Sequence, residues 1–348
     1  MTELQLGLLV IGAVVVAAVF AYNRLQERSA RRAAEHAFRS PAGDALLDAA
    51  RAPRSEPGPP RSPPFAPKRP AAQPQDAVPD ACIDYIVELS FAEPRVAGEL
   101  LEHWKPYAHR YVKRARLAYS PDAAQWLRLQ PGDNAPARGL RAGLQLVTRE
   151  GAIGEAELIE FRAAVETLAA ASGASVAAPE MRQAVEQARE LDLFCADADL
   201  QVVFHVMPPP GGAFAGEQVR RAAEAAGLAL GDDGRFTLQD DAARALFSFG
   251  ARDGRGFSAS GIDAAAPSGL SITLEVPRAP GTRRAFQSMA GFARQLAEAL
   301  EGSLVDDNGQ TLDERSLAAI DAQLSAVQAA FAARGIEPGS AAALRLFS

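Results

Sequence analysis

Cysteine and histidine are scarce: the chain has two of the first and four of the second in 348 residues. His36, His103, His109 and His205 are too scattered for a metal site, and no Cys/His pair has ligand spacing. Cys82 and Cys195 lie in or near apolar segments and read as small buried hydrophobes rather than a disulfide framework. No Gly-rich phosphate loop follows a strand and no nucleophile elbow is present. An enzyme is therefore disfavoured, and no catalytic residue, metal or cofactor is assigned. Positive charge is short as well. The formal net charge of −7 argues against a nucleic-acid partner, and exposed strand positions lack paired aromatics flanked by Lys or Arg. Asp306-Asp307-Asn308-Gly309 lacks the alternating ligands and closing Glu of a calcium loop, so it reads as a Gly-punctuated turn, like Gly231-Asp232-Asp233-Gly234. His205 alternates with inward-facing Phe204 and Val206 and is expected as a partnerless surface histidine on an open sheet face.

What is present begins with an uncharged apolar run from Leu4 to Tyr22. At about 1.5 Å per residue it spans roughly 28 Å, close to the hydrocarbon thickness of a bilayer. A cleaved signal peptide wants basic residues before such a run and a small-residue cleavage site after it. Here no basic side chain precedes the run, and Arg24, Arg28, Arg31 and Arg32 follow it. The asymmetry predicts a retained single-pass transmembrane helix over 4–22, with the N-terminus outside and the rest in a reducing cytoplasm. The four arginines would lie against anionic headgroups of the membrane lipids, or serve simply as solvated topology charges.

Residues 23–79 read as a basic stalk followed by a linker. Many of the 24 prolines fall here, among them Pro53, Pro57, Pro59, Pro60, Pro63, Pro64, Pro67, Pro70 and Pro74. Such a composition cannot build a core, so a disordered spacer with polyproline II character is expected. As a flexible coil it holds a domain roughly 40 Å from the membrane.

The ordered part restarts at Asp80. Strand and helix patterns alternate in an order that suits an α+β fold, an antiparallel sheet with helices on one face. Leu200 to Val206 is a half-buried strand, Gly216 to Ala226 a helix stopped by Gly227, and Ala245–Phe249 and Leu270–Val276 are further strands. Helices follow over Thr282–Leu300 and Asp313–Ala333, with a short apolar piece at Ser303–Val305 between them. The same order occurs earlier: a strand at Ile83–Leu89, a helix opening at Val96, a strand at Gly143–Thr148, and helices at Ala156–Ala171 and Pro179–Phe194. The pattern predicts two tandem copies, residues 80–197 and 198–336, ending in a tail over 337–348. The copies could pack on one another.

The residues from Gln201 onward resemble the C-terminal domain of the bacterial cell-division family ZipA. The likeness is carried by Gln201-Val202-Val203-Phe204-His205-Val206, Gly216-Glu217, Ala226-Gly227, Leu230-Gly231-Asp232, Ala245-Leu246-Phe247-Ser248, Gly269-Leu270-Ser271-Ile272 and Leu304-Val305-Asp306-Asp307. The resemblance implies a six-stranded antiparallel sheet backed by three helices. It also implies an adaptor at the inner membrane that holds the C-terminal peptide of the tubulin-like polymer FtsZ on the open sheet face, and that stabilises or bundles its filaments. Carried over to this chain, the groove falls on Gln201, Val203, Asp233, Arg235, Gly250, Arg252 and Thr273. In the family these positions are largely apolar, whereas here most are polar or charged. Either the peptide is read electrostatically by Arg235 and Arg252, or the paired domains form a division-site scaffold for another partner.

Overall fold

The computed structural model describes residues 78–112, 114–122 and 124–348. The expected anchor at 4–22, with Arg24, Arg28, Arg31 and Arg32, and the linker up to residue 77 lie outside the described residues. Among the described residues no helix is long and apolar enough to cross a membrane. They fall in one compact unit, a mixed α+β structure on two antiparallel sheets and a small ribbon.

The first sheet has the order β3-β2-β4-β1-β7. Its strands are β1 (Asp84–Val96), β2 (Ala115–Ser120), β3 (Leu127–Arg128), β4 (Pro136–Gln145) and β7 (Ala174–Ala177). Helix α1 (Ala97–Ala108) follows β1, and α2 (Glu155–Ser172) and α3 (Met181–Ala198) flank β7. In β1 the alternation puts Tyr85, Val87, Leu89 and Phe91 into the core. Tyr85 meets Phe161 of α2, which also packs edge-to-face with Trp104 and Tyr111 at 5.9 and 5.4 Å between centroids. Helix α2 stops at Gly173, whose φ of 68° lets its N–H return to the carbonyls of Ala169 and Ala170.

The strand expected over Gly143–Thr148 is divided. β4 ends at Gln145, and Val147 opens a ribbon of β5 (Val147–Thr148) and β6 (Gly151–Ala152). The break has a local cause: buried Gln145 turns its amide onto the Val147 carbonyl at 2.7 Å, and the Leu146 N–H bonds the Ile83 carbonyl.

The second sheet has six strands in the order β13-β8-β12-β11-β10-β9. They are β8 (Gln201–Met207), β9 (Ala229–Leu230), β10 (Phe236–Gln239), β11 (Ala245–Ala251), β12 (Leu270–Glu275) and β13 (Ser303–Val305). The helices are α4 (Gly216–Ala225), α5 (Thr282–Ala299) and α6 (Glu314–Ala333). Helix α5 lies along the sheet because Ala285, Phe286, Met289, Ala293 and Leu296 form one buried stripe at helical spacing. Phe286 and Phe292 meet Phe204, Phe247 and Phe249 of the strands. Phe236 stacks on Phe249 at 5.0 Å and 14° across β10 and β11.

The two sheets share their central order, an edge strand (β7 or β13), then the first strand of the domain (β1 or β8), then β4 or β12. They also share a glycine device. Gly98 and Gly216, each in the first turn of the helix after the first strand, donate to the carbonyls of Asp133 and Ala265. A Cβ on Gly98 would stand 2.9 Å from the Asp133 carbonyl oxygen, and one on Gly216 would collide with the Ile262 carbonyl oxygen. Beyond this the domains differ: β9, β10 and β11 form a meander absent from the first sheet.

Helix α6 reaches both hydrophobic cores. Leu317 and Leu324 enter the second core, and Phe331, two heptads on from Leu317, enters the first. There Phe331 meets Phe194 of α3 edge-on at 4.9 Å. Residues 337–348, expected as a tail, instead form helix α7 (Ala341–Leu346), capped by the Ser340 hydroxyl. Ala342, Ala343, Leu346 and Phe347 are buried in the first core.

Candidate docking face of the second sheet

Strand alternation settles which side chains are available. In β8, β12 and β11 the residues Phe204, Val206, Leu270, Ile272, Leu274, Phe247 and Phe249 point to α5 and are buried. Their neighbours Val203, Ser271, Thr273, Ser248 and, on β10, Thr237 face the other way and keep partial exposure. The register aligns these into rows: Val203, Thr273, Ser248 and Thr237 form one, and Val305, His205, Ser271 and Gly250 the next.

Arg235 lies across this face. Its stem passes over Gly250, where a Cβ would sit 3.5 Å from Arg235 Cγ. Its Nε donates to Ser248 Oγ and its Nη2 to Thr273 Oγ1, both at 3.2 Å. The side chain is thus held flat by two hydroxyls on neighbouring strands, and Gly250 leaves the trough in which it rests. Arg252, exposed and just past the end of β11, also lies beside a glycine: its Cδ is 3.3 Å from where a Cβ on Gly269 would be, next to Met207.

Of the seven positions expected in the groove, Val203, Thr273, Gly250 and Arg235 are therefore brought together, with Arg252 adjacent. Gly250 falls inside β11 rather than after it. Asp233 does not lie on a strand: it sits in the turn between β9 and β10, where its Oδ1 accepts the Arg235 N–H at 3.0 Å. Gln201 stands at the far end of β8 opposite Glu275 and lines a separate cleft of about 630 Å³ that also borders Arg149, Asp199 and Phe347.

His205 lies on the expected face but is neither exposed nor partnerless. It is 8% exposed, with Nδ1 2.8 Å from Ser271 Oγ and Nε2 2.8 Å from Asp307 Oδ1. The turn after β13 folds over the sheet edge and supplies Asp307 from 102 positions away. That turn is built as the sequence suggests. The Asp306 carboxylate accepts from the backbone N–H groups of Gln310 and Asn308 at 2.8 and 2.9 Å, and Gly309 takes φ 76°. These contacts, the one from Gln310 foremost, hold the Asp306 carboxyl below the usual carboxylate range.

The corresponding face of the first sheet is partly covered by its own chain, over β2 and β4. Trp126, from the β2–β3 connection, reaches to 3.2 Å of a Cβ position on Gly139, and Arg141 stacks on its ring at 4.1 Å while pairing with Glu88 at 2.6 Å. Pro79 fills the space over Gly143. Ala118 and Ser120 on this side are fully buried. Sequence reading missed this cover because it comes from loops; Gly139 and Gly143, four residues apart and so on one strand face, were the available signal.

An antiparallel sheet with a helical layer on one side and a solvent-facing, partly polar second side defines an α+β sandwich. Residues 201–323 match the family model of ZipA, C-terminal FtsZ-binding domain, so the resemblance seen in the sequence holds over that stretch. No curated protein matches the chain.

Proposed function

We propose that this chain is a cell-division adaptor that ties FtsZ filaments to the cytoplasmic face of the inner membrane and stabilises or bundles them. The observation that carries the reading is the uncovered face of the second sheet within the stretch that matches the ZipA domain. An amphipathic peptide laid on such a face gains contacts with Val203, Thr273 and the stem of Arg235. The apolar run at 4–22 and Arg24, Arg28, Arg31 and Arg32 support a single-pass anchor with lipid contacts, and the Pro-rich linker supports a tether. The shared strand order and the paired glycines Gly98 and Gly216 support two tandem copies. Since Trp126 and Pro79 partly cover the first sheet, the second copy is assigned the peptide.

Co-sedimentation of the full chain with FtsZ polymers is the test. The adaptor reading expects the chain in the pellet only when polymer is present; a chain that stays in the supernatant at every FtsZ concentration overturns it.

The polar character of Arg235, Ser248 and Thr273 favours a second reading, a membrane-anchored division-site scaffold for a partner other than FtsZ. Septal localisation that persists after deletion of the FtsZ tail supports the scaffold and counts against the adaptor.

A further inference from the structure

The arginines of the second domain are mostly spoken for. Arg220 pairs with Asp263, Arg221 with Glu217, Arg244 with Asp240, Arg278 with Glu275 and Arg283 with Asp321. Of those with no ion pair to a carboxylate among the described residues, Arg284 and Arg294 belong to α5 and Arg315 to α6, whereas Arg235 and Arg252 lie at the open face of the sheet. The acids around them are engaged elsewhere. Asp233 accepts the Arg235 backbone N–H, Asp253 pairs with Arg255, Glu275 with Arg278, and Asp307 meets His205. Both arginines instead lie over glycines, Arg235 over Gly250 and Arg252 beside Gly269. Two of the five N–H donors of Arg235 are given to hydroxyls, and the others remain for a ligand.

We infer that Arg235 and Arg252 form a two-point anion reader, and that the peptide docked on this face is recognised through two acidic side chains. The inference rests on the adaptor reading and names the chemistry by which that same face selects its peptide. The Arg235 fork rests on β11 and β12, and Arg252 follows directly on the end of β11, so both cations are offered to one ligand on this face. Acidic residues one turn apart on a helix, about 6 Å, present two carboxylates on one side of a docked peptide. Charge-assisted contacts replace the apolar ones that a groove of aliphatic side chains would supply. Ser248 and Thr273 act as positioning residues, since they fix the Arg235 fork before the peptide arrives.

The experiment is fluorescence anisotropy with the full chain and two fluorescein-labelled synthetic peptides. One is the C-terminal tail of the same organism's FtsZ; the other is that tail with every Asp and Glu changed to Asn and Gln. The inference expects the amide peptide to bind the unaltered chain about tenfold more weakly. It expects R235Q and R252Q each to weaken the acidic peptide by about the same factor, and the amide peptide by much less. T273V, which keeps the side-chain shape, causes a smaller loss than R235Q. Equal binding of both peptides, unaffected by R235Q and R252Q, overturns the anion reader and leaves the adaptor standing. Absence of binding by either peptide overturns both.

Discussion

Arg345, in the last turn of α7, closes a bidentate ion pair on Asp84 at the start of β1, with N–O distances of 2.6 and 2.9 Å across 261 positions of sequence. Asp84 is 4% exposed, and the Arg345 backbone carbonyl accepts from the Gln145 amide at 3.0 Å. The start of β1 and the C-terminal helix are thereby joined at one corner of the first sheet. Because the pair is out of water, breaking it from one side strands a charge. R345Q should cost about 3–5 kcal/mol in urea unfolding, whereas replacing both partners with Leu and Met recovers most of that loss. A loss below about 1 kcal/mol for R345Q would show that the pair is a surface contact.

Phe331 joins the two cores through α6. It is fully buried, wedged between Phe194 at 4.9 Å and Phe347 at 5.9 Å. F331A is expected to destabilise by about 3–5 kcal/mol. The loss should fall on the first domain, so that tryptophan fluorescence, reporting Trp104 and Trp126, changes at lower denaturant than a probe in the second sheet. Coincident transitions would mean that α6 couples the domains into one cooperative unit.

Gly216 cannot carry a side chain where it stands, since a Cβ would overlap the Ile262 carbonyl oxygen. G216A should therefore displace the short helical turn at Ile262–Ala264 from α4, at a cost on the order of 3 kcal/mol. G98A, whose Cβ would sit 2.9 Å from the Asp133 carbonyl oxygen, should cost less. The comparison is made by thermal unfolding of the two variants, and equal melting temperatures would contradict it.

Burial pushes the Cys195 thiol up to about 11, with Asp192 adding to the effect and Arg334 opposing it. The reactive species is the thiolate, which burial disfavours in the folded chain alone. Alkylation of native Cys195 by iodoacetamide should keep rising through pH 9–10, where the unfolded chain has levelled off. A native rate equal to the unfolded rate at pH 8 would contradict the burial.

The second domain was largely legible in the sequence. Strict alternation in β8 and β12 and the apolar stripe of α5 fixed those elements to within a residue or two, and Asp313 marked the start of α6 by capping it through the Ser316 N–H at 2.8 Å. Two-residue strands such as β3 and β9 carry too little periodicity to be seen. Helix α7 was hidden for a different reason: its six residues are too few to form a helix alone, and it exists because Phe331 and the Asp84 corner receive it. The site divides along the same line. Positions on strands, Val203, Gly250 and Thr273, came together as alternation requires, while Asp233 and the Asp307 that meets His205 depend on turns whose paths only the folded chain fixes.

The face of the second sheet is tested most directly by mapping where the peptide lands. Amide chemical shifts of the full chain, recorded while the FtsZ tail peptide is added, should move at Val203, Ser248, Gly250 and Thr273 and at the Arg235 side chain, and stay fixed around Trp126 on the first sheet. Perturbations confined to the first sheet or to the α3–α6 junction at Phe194, with Val203 and Thr273 unmoved, would contradict the account.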